Sequence, residues 1–91
     1  GNGVQPPVKI YDLQPRYTEE ARKARIQGIV ILQCVVDANG DVTRVQTIKG
    51  LTLGLTESAI ETVKQWKYKP ATRDGEPVAV YYVIRVGFWM Q

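Results

Sequence analysis

Lys64-Gln65-Trp66-Lys67-Tyr68-Lys69-Pro70-Ala71, followed by an Asp74-Gly75 turn and the alternating run Val78 to Met90, carries the clearest structural signal in the chain. Its first part reads as a helix exit. Leu55, Ala59, Ile60, Val63 and Trp66 recur at helical spacing, and Pro70 cannot continue the helix because it lacks an amide donor. Its last part reads as a strand of up to thirteen residues with nothing after it to pair with, so one edge of that strand is expected to stay open. Val78, Val80, Tyr82, Ile84, Val86, Phe88 and Met90 form the side facing the helices. Ala79, Tyr81, Val83, Arg85, Gly87 and Trp89 form the other, where Tyr81, Val83 and Trp89 would join Ile29, Ile31 and Val35 on an uncovered apolar surface.

Upstream of this stretch, Thr18 to Arg25 reads as a short helix with an acidic start and a basic end, preceded by the proline-containing approach Asp12 to Tyr17. Gly28 ends it. Ile29 to Val36 is apolar on both alternating faces and rich in β-branched residues, as a central strand should be. Asp37-Ala38-Asn39-Gly40-Asp41 supplies a hairpin, with Asn39-Gly40 suited to positive φ, and Val42 to Ile48 returns antiparallel. Lys49 to Gly54 loops into the second helix, from Leu55 or Thr56 to Trp66. If the first strand runs up and the second down, the helix delivers the third running down, so it joins an antiparallel sheet only beside the first. The expected fold is α+β: a three-stranded antiparallel sheet in the order second, first, third, with two helices on one face. Residues 1–11, with their glycines and Pro6-Pro7, read as an extended linker remnant, and 12–91 as one domain.

Composition narrows the chemistry. There is no histidine, which removes histidine-based catalytic triads and histidine metal sites. Cys34 is the only cysteine, so no internal disulfide forms, and its place in an apolar strand suits a buried small hydrophobe. Glu57 and Glu61 stand one helical turn apart on a solvent face, which fits surface charges better than an acid and base pair. Asp37 to Asp41 starts like a calcium loop, but Val42 replaces the required glycine and Ile48 the closing glutamate. The formal charge of +3 is spread out, with Glu19 and Glu20 beside Arg22, Lys23 and Arg25, and no nucleic-acid motif accompanies it. No catalytic residue, metal or cofactor is assigned. No apolar run approaches the roughly 20 residues of a membrane helix, so any anchor is expected upstream.

From Gln14 to Phe88 the chain resembles the C-terminal domain of the TonB family. The resemblance is carried by Gln14-Pro15-Arg16-Tyr17, the helix ending at Gly28, the Val36-Asp37 to Gly40 hairpin, Trp66-Lys67-Tyr68-Lys69-Pro70-Ala71, Asp74-Gly75 and Phe88. It departs at Thr18, where a proline usually follows the tyrosine, at Cys34, and at Lys49-Gly50-Leu51. The resemblance implies a periplasmic, non-enzymatic domain anchored in the inner membrane through an N-terminal helix. Such a protein works with an ExbB/ExbD-type proton channel and grips the N-terminal peptide of an outer-membrane TonB-dependent transporter, driving uptake of substrates such as iron chelates or cobalamin. It further implies partner contacts at Gln14, Pro15, Arg16 and Tyr17, and peptide pairing along Tyr82, Val83, Ile84, Arg85, Val86, Gly87, Phe88 and Trp89. Strand addition suits such a grip because several backbone hydrogen bonds share the load. Homodimers through the same edge are a further expectation, and a non-transport adaptor or scaffold domain of the same fold is the alternative.

Overall fold

The structure, a computed structural model, describes residues 3–91. In chain order the elements are β1 (Val4–Gln5), β2 (Val8–Tyr11), α1 (Glu19–Lys23), β3 (Gly28–Val36), β4 (Val42–Lys49), α2 (Leu55–Val63), β5 (Lys67–Lys69), β6 (Ala71–Arg73), β7 (Glu76–Val78) and β8 (Val80–Phe88). The main sheet has the order β4-β3-β8, antiparallel throughout. This is the second, first, third order expected from strand direction. Both helices cover one face, where Val30, Leu32, Cys34 and Val36 of β3 meet Leu55, Ala59 and Val63 of α2, all at most 1% exposed. Ala21 of α1, Val42 of β4, Trp66, Tyr68 of β5 and Ile84, Val86 and Phe88 of β8 join that core.

The helices start where their caps allow. Thr18 holds extended backbone at the head of α1 and accepts the Ala21 amide on Oγ1 (3.2 Å), the usual way a first turn satisfies an orphan donor. The same hydroxyl donates to the Leu53 carbonyl (2.6 Å), tying α1 to the loop before α2. Helix α1 ends at Lys23, short of the expected Arg25, because Arg25 turns left-handed at φ 58°. Helix α2 ends at Val63, not at Trp66, and the Trp66 amide returns to the Val63 carbonyl (3.1 Å) in a closing turn.

Three further differences have local causes. In the first hairpin only Gly40 takes positive φ (82°). The Asp37 carboxylate holds the Asn39 and Asp41 amides (both 2.9 Å), so the Asp side chain organises the turn that Asn39-Gly40 was expected to form as a pair. The paired positive φ angles occur instead at Asp74 (50°) and Gly75 (84°), the two-residue hairpin joining β6 to β7. Consequently Glu76–Val78 folds back on Ala71–Arg73, and the final strand is nine residues, Val80–Phe88, not the thirteen of Val78 to Met90. Finally, the segment read as a linker is extended and also paired: Val4–Gln5 lies on β6 and Val8–Tyr11 on β5. Gly1 and Asn2 of that segment lie outside the described residues.

Candidate functional site

The outer side of β8 is built by alternation. Across the first hairpin the Asp37 amide donates to the Asp41 carbonyl (3.0 Å), so odd-numbered backbone groups of β3 face β4 and even-numbered ones face β8. Strand β3 pairs with β8 without interruption from Gly28↔Phe88 to Val36↔Val80, even opposite even. The even residues of β8 therefore commit their amides and carbonyls to β3. Tyr81, Val83, Arg85 and Gly87 turn theirs outward, and no strand pairs with that side among the described residues.

The opposite edge of the sheet differs. Against β3, strand β4 breaks register twice, once at Ile48 and once at Arg44-Val45, and Arg44 takes a left-handed φ of 51°. Such bulges twist an edge away from further pairing. Of the two edges of this sheet, among the described residues, the β8 edge is the one that is regular along its length.

The approach segment lies alongside this edge on the helix side. The Trp66 indole donates to the Leu13 carbonyl (3.0 Å), Ser58 Oγ donates to the Arg16 carbonyl, and the Tyr17 hydroxyl donates to the Ile26 carbonyl. The Tyr17 ring then meets Phe88 edge to face at 5.5 Å, at the end of β8. Earlier in the segment, Lys9 sits 4.1 Å over the Trp66 ring and 3.0 Å from Asp12. Lys9, Trp66 and Tyr68 on one side, and Tyr82 to Arg85 on the other, enclose a cleft of about 190 Å³ beside the middle of the edge. Tyr68 packs edge to face on Tyr82 at 5.5 Å. Burial, then the neighbouring Tyr82, Cys34 and Asp12, push the Tyr68 hydroxyl up to about 12. Cys34 is 1% exposed and burial pushes its thiol up as well, so it behaves as a core side chain.

The residues singled out from sequence divide clearly. Ile84, Val86 and Phe88 are core, and Tyr82 is half-buried, so their side chains are turned away from any strand-wise neighbour's backbone. Val83, Arg85, Gly87 and Trp89 are exposed. Trp89 folds back over the strand: a Cβ on Gly87 would stand 2.5 Å from its indole nitrogen. In the approach, Pro15 and Tyr17 are half-buried while Gln14 and Arg16 are exposed. Lys9 escaped sequence reading because it lies in a segment taken for linker. Its only signal was the alternation Val8-Lys9-Ile10-Tyr11.

The geometry defines a small α+β domain organised around the β4-β3-β8 antiparallel sheet, whose β8 edge is regular and unpaired among the described residues. Residues 13–90 match the family model described as the Gram-negative bacterial TonB protein C-terminal, and the chain belongs to that family. It is 36% identical over 88 residues to Protein TonB of Vibrio cholerae serotype O1, covering 96% of this chain and 36% of the relative. It is also 36% identical over 75 residues to Protein TonB of Xanthomonas campestris pv. campestris, covering 81% of this chain and 34% of that one. The chain thus spans about a third of the length of the curated relatives it matches. Among solved structures, the solution structure of the Pseudomonas aeruginosa TonB C-terminal domain superposes with a TM-score of 0.75, covering 100% of this chain and 90% of the other at 15% identity. At that identity the likeness is one of fold.

Proposed function

We propose that this domain is the receptor-gripping end of a TonB-like energy transducer, located in the periplasm and tethered to the inner membrane by segments preceding it. In this reading a proton channel of the ExbB/ExbD type drives the whole protein. The domain binds the N-terminal peptide of an outer-membrane TonB-dependent transporter by adding it as a strand to β8, and pulling on that strand permits uptake of the transporter's substrate. The observation that carries the reading is the outward row of backbone groups at Tyr81, Val83, Arg85 and Gly87 on an edge with no register break. Main-chain pairing supplies affinity without demanding a particular side chain at every position, and alternate side chains supply selectivity. Gln14, Pro15, Arg16 and Tyr17 flank the added strand. The same edge on two copies can pair about a two-fold axis, giving a homodimer that competes with the peptide.

Titration of the labelled domain with a transporter N-terminal peptide, followed by amide shifts and amide exchange, tests this. Shifts and new protection at Tyr81, Val83, Arg85 and Gly87 are expected. Perturbation confined to α1 and α2, with β8 silent, would overturn the reading.

A further inference from the structure

At the end of β8 the open edge runs into a groove of about 430 Å³ lined by Tyr17, Arg22, Arg25, Trp89, Met90 and Gln91. Among the described residues no acidic side chain lines it. Arg22 lies over the Tyr17 ring at 5.4 Å, and Arg25, placed by its left-handed backbone, reaches the Met90 sulfur with its Nη1 (3.9 Å). Neither arginine is in an ion pair among the described residues. The far wall is held in place, because the Met90 amide donates to Gln27 Oε1 (2.7 Å) and the Trp89 indole rests on Gly87.

We infer that this groove is a carboxylate subsite, selecting an added strand that carries an acidic side chain where it passes the end of β8. The inference rests on the strand-addition reading above and specifies the chemistry of the occupant. Neighbouring residues on adjacent strands point their side chains to the same face. A peptide residue level with Phe88 therefore projects toward the helix side, where Tyr17 and Arg22 wait beyond the Phe88 ring. Two guanidinium groups, one of them over an aromatic ring, offer forked donors to a carboxylate. A neutral amide in the same place receives no such charge assistance. Because both arginines are exposed, the preference is moderate and weakens with salt.

The test uses synthetic nine-residue peptides, blocked at both ends and alternating Thr and Val, with a single Glu placed at each position in turn and a matched Gln series. Affinities are read by Trp fluorescence or calorimetry, at low and at high salt. At one position, or at two positions of the same parity, Glu is expected to bind about two- to fivefold more tightly than Gln. That ratio should shrink toward one in high salt and in Arg22→Gln/Arg25→Gln, the double change being compared on both peptide series. A Glu preference that survives the double change, or equal affinity for Glu and Gln at every position while β8 amides still shift, overturns the subsite and leaves strand addition standing. Failure of both series to perturb β8 overturns the two together.

Discussion

Trp66 shows how one side chain serves both the core and the site. It is 6% exposed, closes the apolar stripe of α2 three residues beyond its last helical turn, donates to Leu13 and carries Lys9 on its ring. Trp66→Ala removes packing from a small core and is expected to cost about 3 to 5 kcal/mol, a large part of the stability of a domain this size. Trp66→Phe keeps most of the packing and loses the hydrogen bond, about 1 kcal/mol. Chemical denaturation of the two variants separates these contributions, and an unchanged midpoint for the alanine variant would show that the stripe is not where the core is anchored. Tyr68 gives a pH signature. Its folded value of about 12 lies above the ordinary tyrosine value near 10, so the folded chain keeps a proton that the unfolded chain releases. The associated stability is complete below pH 10 and is lost as pH rises through 12. Tyr68→Phe should flatten part of the decline in denaturation midpoint between pH 10 and pH 12. An identical decline in both proteins would count against the burial of that hydroxyl.

Among the elements, β8 is the one whose two sides do different work. Its even residues hold the sheet and its odd residues face outward, so proline should act in opposite ways at neighbouring positions. At Val83 or Arg85 it removes an amide that β3 does not use, a placement sheet edges tolerate. At Ile84 it removes a ladder bond and a buried side chain together. Val83→Pro and Arg85→Pro are therefore expected to remain folded by circular dichroism and to lose peptide binding at least tenfold, whereas Ile84→Pro unfolds. The reverse pattern, an intact Ile84→Pro and an unfolded Val83→Pro, would mean that the alternation is inverted. Thr18 illustrates a departure from the family pattern that the fold absorbs. Its φ of −69° is one that proline also takes, and the hydroxyl adds the helix cap and the bond to Leu53.

The whole molecule is elongated, 49 × 22 × 21 Å, because the short strands β1, β2, β5, β6 and β7 pair outside the main sheet. Its exposed apolar side chains include Tyr81 at 78% and Trp89 at 60%, both next to the free edge. A regular edge flanked in this way tends to find a partner, and Arg85 and Gly87 are weak gatekeepers. Sedimentation across a concentration series is expected to show a dimer at high protein concentration that dissociates as transporter peptide is added, since both occupy the same backbone groups. A strict monomer near millimolar concentration, or a dimer indifferent to saturating peptide, would separate the two interfaces.

The class of the fold, the sheet order and the two faces of β8 are legible in the residue pattern alone. These follow from local rules: the helical spacing of Leu55, Ala59 and Val63, the alternation from Val80 to Phe88, the proline stop at Pro70, and the directions that strands must take. The order second, first, third also leaves one edge of β8 unpaired, since that strand then neighbours β3 alone. What surrounds that edge depends on how distant segments pack. Val4–Gln5 and Val8–Tyr11 look like linker on their own, since their pairing partners lie about 56 to 69 residues away and two short strands have no stability until a fold brings them together. The arginine groove likewise depends on Tyr17, Arg25 and Trp89 meeting at one end of the sheet. Spacing along a chain reports which face a residue occupies, whereas contact between distant segments is set by how the faces pack.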